Sequence, residues 1–149
     1  MLLEKIEQSS DIKKLKAEDY PVLAQEIRQF LLEKISRTGG HLASNLGAVE
    51  LTVAIHRVFD TSRDRLVFDV GHQCYIHKML TGRREEMAGL RQYGGIAGFP
   101  KPGESVHDAF IAGHASNSVA VAVGMVQARA ALGQDYQVAA LVGDGPLTG

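Results

Sequence analysis

Residues 137–142 form an almost unbroken apolar run that gives way at once to Gly143-Asp144-Gly145. A run of this kind suits a parallel strand buried on both faces, and such a strand needs helices on either side of its sheet. The expected fold class is therefore α/β, a parallel sheet flanked by helices. Seven residues after the strand the sequence stops at Gly149, with no covering helix. Residues 1–149 are accordingly expected to be the first part of a larger domain, cut just after the Gly-Asp-Gly tripeptide.

Upstream elements agree with that class. Leu23, Ile27, Phe30, Leu31 and Ile35 recur at helical spacing, Asp19 and Pro21 suit a helix start and Gly39-Gly40 its stop, which predicts a helix over 20–37. A second helix is expected from a cap at Ser44 or Asn45 to about Asp60, with Val49, Val53, Ala54, Val58 and Phe59 inward. Residues 66–70 read as a strand closed by Gly71. Six glycines and two prolines within residues 81–103 predict an irregular loop. Ser116, Asn117 or Ser118 then caps a helix rich in small residues that runs to Gly133.

Charge excludes several roles. Across 149 residues, 16 basic side chains face 17 acidic ones, and no dense basic stretch would draw in a polyanion, so neither nucleic acid nor a membrane surface is an expected partner. The longest apolar run, 119–126, contains Gly124 and falls well short of the roughly 20 residues of a membrane span. The first 16 residues mix charges among their leucines and isoleucines and lack the apolar centre of a signal peptide. One cysteine, Cys74, allows no internal disulfide, so a reducing, cytoplasmic setting is expected. Residues 1–37 carry seven basic and seven acidic side chains, whereas residues 104–149 carry Arg129 and four acids, which marks the later part as the more buried.

Candidate chemistry gathers at element ends. Ligands in open α/β sheets bind beyond the carboxyl ends of strands, so Asp144 is a candidate magnesium ligand, with phosphate oxygens and water filling the other positions. The same tripeptide is also good turn chemistry. Gly113-His114-Ala115-Ser116-Asn117-Ser118 enters a helix, where free amides and the dipole can hold an anion; capping by Ser116 or Ser118 is the alternative. Of six histidines, His41, His72, His77 and His114 sit at expected loop edges, where an imidazole can exchange protons near neutral pH. His56 is expected to be structural or solvated, His107 has no supporting context, and Cys74 reads as a buried thiol. Neither a zinc pattern nor a G-x-S-x-G elbow is present.

Taken together, Thr38-Gly-Gly-His-Leu-Ala-Ser-Asn-Leu-Gly, Asp69-Val-Gly-His-Gln, His77-Lys78 with Leu80-Thr-Gly-Arg-Arg, Gly94-Gly-Ile-Ala-Gly-Phe-Pro-Lys, Asp108-Ala-Phe, Gly113-His114 and Val142-Gly-Asp-Gly closely resemble the N-terminal region of the 1-deoxy-D-xylulose-5-phosphate synthases. The resemblance implies an incomplete thiamine-diphosphate-binding fold, with pyrimidine-binding and C-terminal domains lying elsewhere. It implies a cytoplasmic transferase that uses thiamine diphosphate and Mg2+ to join pyruvate to glyceraldehyde 3-phosphate with loss of carbon dioxide. That reaction serves isoprenoid precursor and thiamine biosynthesis, in a homodimer when the protein is full length. By the same resemblance Asp144 is the metal ligand and His41 the acid/base candidate. His72, Gly113, His114, Ala115, Gly145 and Pro146 are cofactor contacts.

Some positions depart from the pattern. Ala115 stands where a serine is expected, Pro146 where alanine or serine is expected, and Cys74 and Ile76 replace an alanine and a proline. Proline has no amide hydrogen to offer, and each lost donor to a diphosphate costs about 1–3 kcal/mol. The chain by itself is expected not to turn over substrate. A subunit of a split transketolase-like enzyme and a non-catalytic remnant of the fold are the alternative readings.

Overall fold

The computed structural model describes residues 1–145. The chain divides into two compact units, one formed by Met1–Phe59 with His72–Gly98, the other by Asp60–Gly71 with the chain from Phe99 onward. The first unit is helical and the second holds the sheet, which together give the expected α/β class.

In the first unit, α1 runs over Asp19–Thr38 and buries Leu23, Ala24, Ile27, Leu31 and Ile35, a stripe at three- and four-residue spacing. Its start is held by the Asp19 carboxylate, which accepts the Lys16 amide at 2.9 Å. Gly39, at φ +73, donates to the Ile35 carbonyl at 2.9 Å and ends the helix. Helices α2 (Leu42–Gly47) and α3 (Val49–Val58) follow, separated at Ala48. The expected single helix is thus two, and neither Ser44 nor Asn45 caps it, because both lie inside α2.

The inward face of α3 also differs from expectation. Val49, Thr52, Val53 and His56 are buried, while Ala54 and Val58 are exposed. Buried positions 49, 52, 53 and 56 make one continuous helical stripe; counting only apolar residues shifts the face because Thr52 and His56 complete it. Ala54 and Val58 instead line a groove of about 610 Å3 with Tyr20, Pro21 and Val53. A bidentate pair from Arg28 to Glu50, at 2.5 and 2.7 Å, ties α1 to α3. Next, α4 (Tyr75–Lys78) buries all four of its residues and runs into a wide turn, Met79–Arg83, broken at Thr81 and Gly82. Short helical turns interrupt the expected glycine-rich loop, as at Glu85–Gly89.

In the second unit, β1 (Arg65–Phe68) pairs in parallel with β2 (Val138–Leu141), Arg65 opposite Val138 and Phe68 opposite Leu141. Helix α5 (Ser118–Ala131) lies between them in sequence and packs on both strands. Leu66, Val67 and Phe68 are buried, but in β2 only Leu141 is, and Ala140 is exposed. Burial of β2 on both faces, expected from its apolar run, is therefore not found. Val119, Val123, Val126, Val138 and Ala140 instead line an open apolar trough.

After β1 the backbone turns sharply. Val70 adopts φ +59 and the Gly71 amide reaches back to the Asp69 carbonyl at 2.6 Å, a three-residue turn that is strained for a β-branched residue. Gly71 has φ +91, and a Cβ there would lie 2.7 Å from Pro100 Cδ and 3.0 Å from Ala112 Cβ, so only glycine fits. Among the described residues no helix is long and apolar enough to cross a membrane.

Candidate functional site

The sequence candidates fall in both units, and each set is built by its own neighbours. In the first unit His41 stands just ahead of α2, after Gly39-Gly40, with its side chain exposed. Its ring centroid is 5.1 Å from that of His72, edge to face at 69°. His72 is half-buried, and its Nδ1 is buried with no hydrogen-bond partner. Burial first, and then the neighbouring His41, hold the His72 imidazole below its ordinary pKa of 6.5. At neutral pH this ring is uncharged, the form that can accept a proton.

Three residues that the sequence reading did not place among the site candidates mount this pair. Asn45, fully buried, donates from Nδ2 to the carbonyls of His41 (2.7 Å) and His72 (2.8 Å) and accepts the Tyr75 amide on Oδ1 (2.9 Å). The Tyr75 hydroxyl oxygen accepts the His41 amide at 3.3 Å. Burial raises the phenol's pKa, so the hydroxyl stays neutral. Gly40 makes room for it, since a Cβ there would stand 2.9 Å from that oxygen.

His77, expected at a loop edge, is fully buried with its Nδ1 2.9 Å from His56 Nε2. The reason is that it falls within α4, whose whole turn faces inward, so it belongs to the core rather than to an accessible site. Cys74 is the buried thiol expected, 3.8 Å from the Gly98 carbonyl.

In the second unit the start of α5 is occupied from within. Asp69, fully buried at the end of β1, accepts the Ser116 amide on Oδ1 (2.9 Å) and the Ser118 amide and hydroxyl on Oδ2 (3.2 and 2.6 Å). Burial alone would raise the carboxyl; these bonds, with the Asn117 amide, more than offset it and hold the pKa below 3.8. The helix is therefore capped, but by an acid 47 residues upstream of Ser116 rather than by Ser116 or Ser118 acting locally. These amides are not an open anion cradle. Gly113, His114 and Ala115, just before them, are exposed. His107, which has no supporting sequence context, has its Nδ1 2.8 Å from Thr61 Oγ1.

Asp144 follows β2 by three residues, is exposed, and accepts the Gly145 amide on Oδ1 at 2.9 Å. Among the described residues no group of three histidine, cysteine or acidic side chains converges as a metal site. Pro146 lies outside the described residues.

The profile of the 1-deoxy-D-xylulose-5-phosphate synthases matches residues 3–149. The chain belongs to the 1-deoxy-D-xylulose-5-phosphate synthase family. Curated relatives bearing that name are 58% identical over 147 residues in Thiobacillus denitrificans and 55% identical over 148 residues in Caldanaerobacter subterraneus subsp. tengcongensis, each alignment covering 99% of this chain. A Thermus thermophilus 1-deoxy-D-xylulose-5-phosphate synthase is 55% identical over 149 residues, all of this chain. The chain spans about 24% of the length of these synthases. The histidine pair, the Asp69 cap and the Asp144 turn thus all lie within the region that the synthase profile covers.

Proposed function

We propose that this chain supplies the diphosphate-binding part of a thiamine-diphosphate-dependent synthase that joins pyruvate to glyceraldehyde 3-phosphate with loss of carbon dioxide. The observation that carries the reading, beyond family membership, is the exposed Asp144 carboxylate just past the carboxyl end of parallel strand β2, the place where open α/β sheets take ligands. A single hard oxygen ligand suits Mg2+, which completes its shell with phosphate oxygens and water. Asp144 would hold the metal, and Gly113, His114, Ala115 and Gly145 would lie against the cofactor; His72 and Pro146 are proposed as cofactor contacts on the family resemblance alone. Asp69 leaves the amides of Ser116 and Ser118 committed, so the diphosphate would be held by the exposed residues ahead of α5 and by the metal. When bound, the cofactor supplies an electron sink for breaking and making a carbon–carbon bond.

His41 and His72 would move protons. His72, kept neutral by burial and by its neighbour, is suited to accept one, and exposed His41 to exchange one with substrate. Homodimer assembly, a cytoplasmic setting and the need for further domains belong to the same reading and rest on the family resemblance.

A hybrid enzyme tests it. Substituting these 149 residues for the matching segment of the Thermus thermophilus relative, 55% identical, should retain Mg2+- and thiamine-diphosphate-dependent release of carbon dioxide from pyruvate when glyceraldehyde 3-phosphate is present. Asp144→Ala in that hybrid should abolish it, while the 149-residue chain alone gives no sustained turnover. A folded hybrid with no activity, or one indifferent to Asp144→Ala, overturns the proposal.

A further inference from the structure

We propose that Asn45 is a positioning residue, a buried amide that staples together the backbones carrying His41 and His72 and so fixes the approach of their two rings. The proposal deepens the functional reading above in giving those rings a use, but its geometry stands apart from it. The Asn45 side chain offers two N–H donors and an acceptor oxygen. Both donors are spent on the two histidine carbonyls, at 2.7 and 2.8 Å, and the oxygen takes the Tyr75 amide at 2.9 Å. His72 is 27 residues away in sequence and Tyr75 is 30, so one side chain bridges segments that no local turn joins.

The staple closes on itself. Tyr75, held through its amide by Asn45, accepts the His41 amide on its hydroxyl oxygen, so each histidine backbone is tied to Asn45 directly and that of His41 a second time through Tyr75. The His72 ring has no hydrogen bond at its buried Nδ1. Its orientation against His41, 5.1 Å between centroids at 69°, therefore leans on where its backbone is held. An amide is the group that can do this, because it donates twice and accepts once at one buried point, which no hydroxyl, carboxylate or apolar side chain reproduces.

The test measures coupling rather than stability. In the 149-residue chain, the titrations of His41 and His72 are followed by NMR, with His107 and His114 as internal references. Replacing His41 by Asn should raise the pKa of His72 toward its ordinary value where Asn45 is present. In the Asn45→Ala background the same replacement should move it by less than half as much. Equal coupling in both backgrounds overturns the proposal. Should Asn45→Ala fail to fold, Asn45→Asp keeps the acceptor for the Tyr75 amide while removing the donors, and it should reduce the coupling likewise. If neither variant folds, Asn45 is a purely structural residue and the proposal is wrong. In the hybrid synthase, Asn45→Asp should lower kcat with KM for pyruvate little changed. Lost coupling with an unchanged kcat keeps the staple and removes the catalytic use of the histidines, so the two failures are distinguishable.

Discussion

Ser118 Oγ donates a 2.6 Å hydrogen bond to Asp69 Oδ2, and both residues are fully buried. Through it the residue just after β1 and the first residue of α5 share one charge. A buried carboxylate costs free energy unless its oxygens are satisfied, and here the amides of Ser116 and Ser118 satisfy them alongside the hydroxyl.

Asp69→Ala should therefore lower the unfolding free energy of the chain by about 2–3 kcal/mol, the combined scale of a lost helix cap and of bonds to a charged acceptor. Asp69→Asn, which keeps one acceptor oxygen, should cost less. Urea denaturation followed by circular dichroism decides this, and equal midpoints for all three chains would show that the cap carries no stability.

Stability should also fall in acid, in two stages. His72 has its folded pKa below the unfolded value of 6.5, so the unfolded chain binds the proton first and stability drops as pH goes down through that region. Asp69 has its folded pKa below 3.8; its contribution is complete above 3.8 and disappears as pH falls through the folded value. Denaturant midpoints measured from pH 8 to pH 2 should show both stages, and the Asp69→Asn and His72→Asn chains should each lose the corresponding one.

Gly71→Ala should destabilise the second unit by about 2 kcal/mol or more, since it adds left-handed strain to a close steric contact. The contact is with Pro100 and Ala112. Thermal melting of the purified variant checks it; an unchanged midpoint would mean that the turn after β1 rearranges freely.

Ala115→Ser restores the hydroxyl that the family pattern leads one to expect. Ala115 is exposed, so stability should stay within about 0.5 kcal/mol. Affinity of the hybrid enzyme for thiamine diphosphate with Mg2+ should rise by roughly tenfold, the worth of one added hydrogen bond to a charged ligand. Isothermal calorimetry reads both binding curves, and equal affinities would remove Ala115 from the proposed cofactor contacts.

Sequence periodicity captured what depends on solvent. Leu23, Ile27, Leu31 and Ile35 mark the buried stripe of α1, and the run that becomes β1 is visible because contiguous apolar residues need cover; the run of β2 marks a strand as well, although only Leu141 in it is buried. Phase was harder where polar residues are buried: Thr52 and His56 belong to the inner face of α3, and hydrophobicity gives no hint of it. Asn45 and Asp69 were missed as anchors for a different reason. Apart from the nearby His41 carbonyl and the Ser118 hydroxyl, their partners are main-chain amides and a carbonyl 27 to 49 residues away, and a backbone group looks the same in every residue, so no pattern of side chains announces it. His41 and His72 stand out only through glycine punctuation and family resemblance, and Asp144 also through its place after an apolar strand.

Cys74 is the one sulfhydryl in the chain and has no solvent contact. A thiol reagent can reach it only when the surrounding segment opens, so its labelling rate is a native clock for local breathing. Slower labelling in the presence of a candidate ligand would report rigidification of the helical unit without any probe having to be introduced.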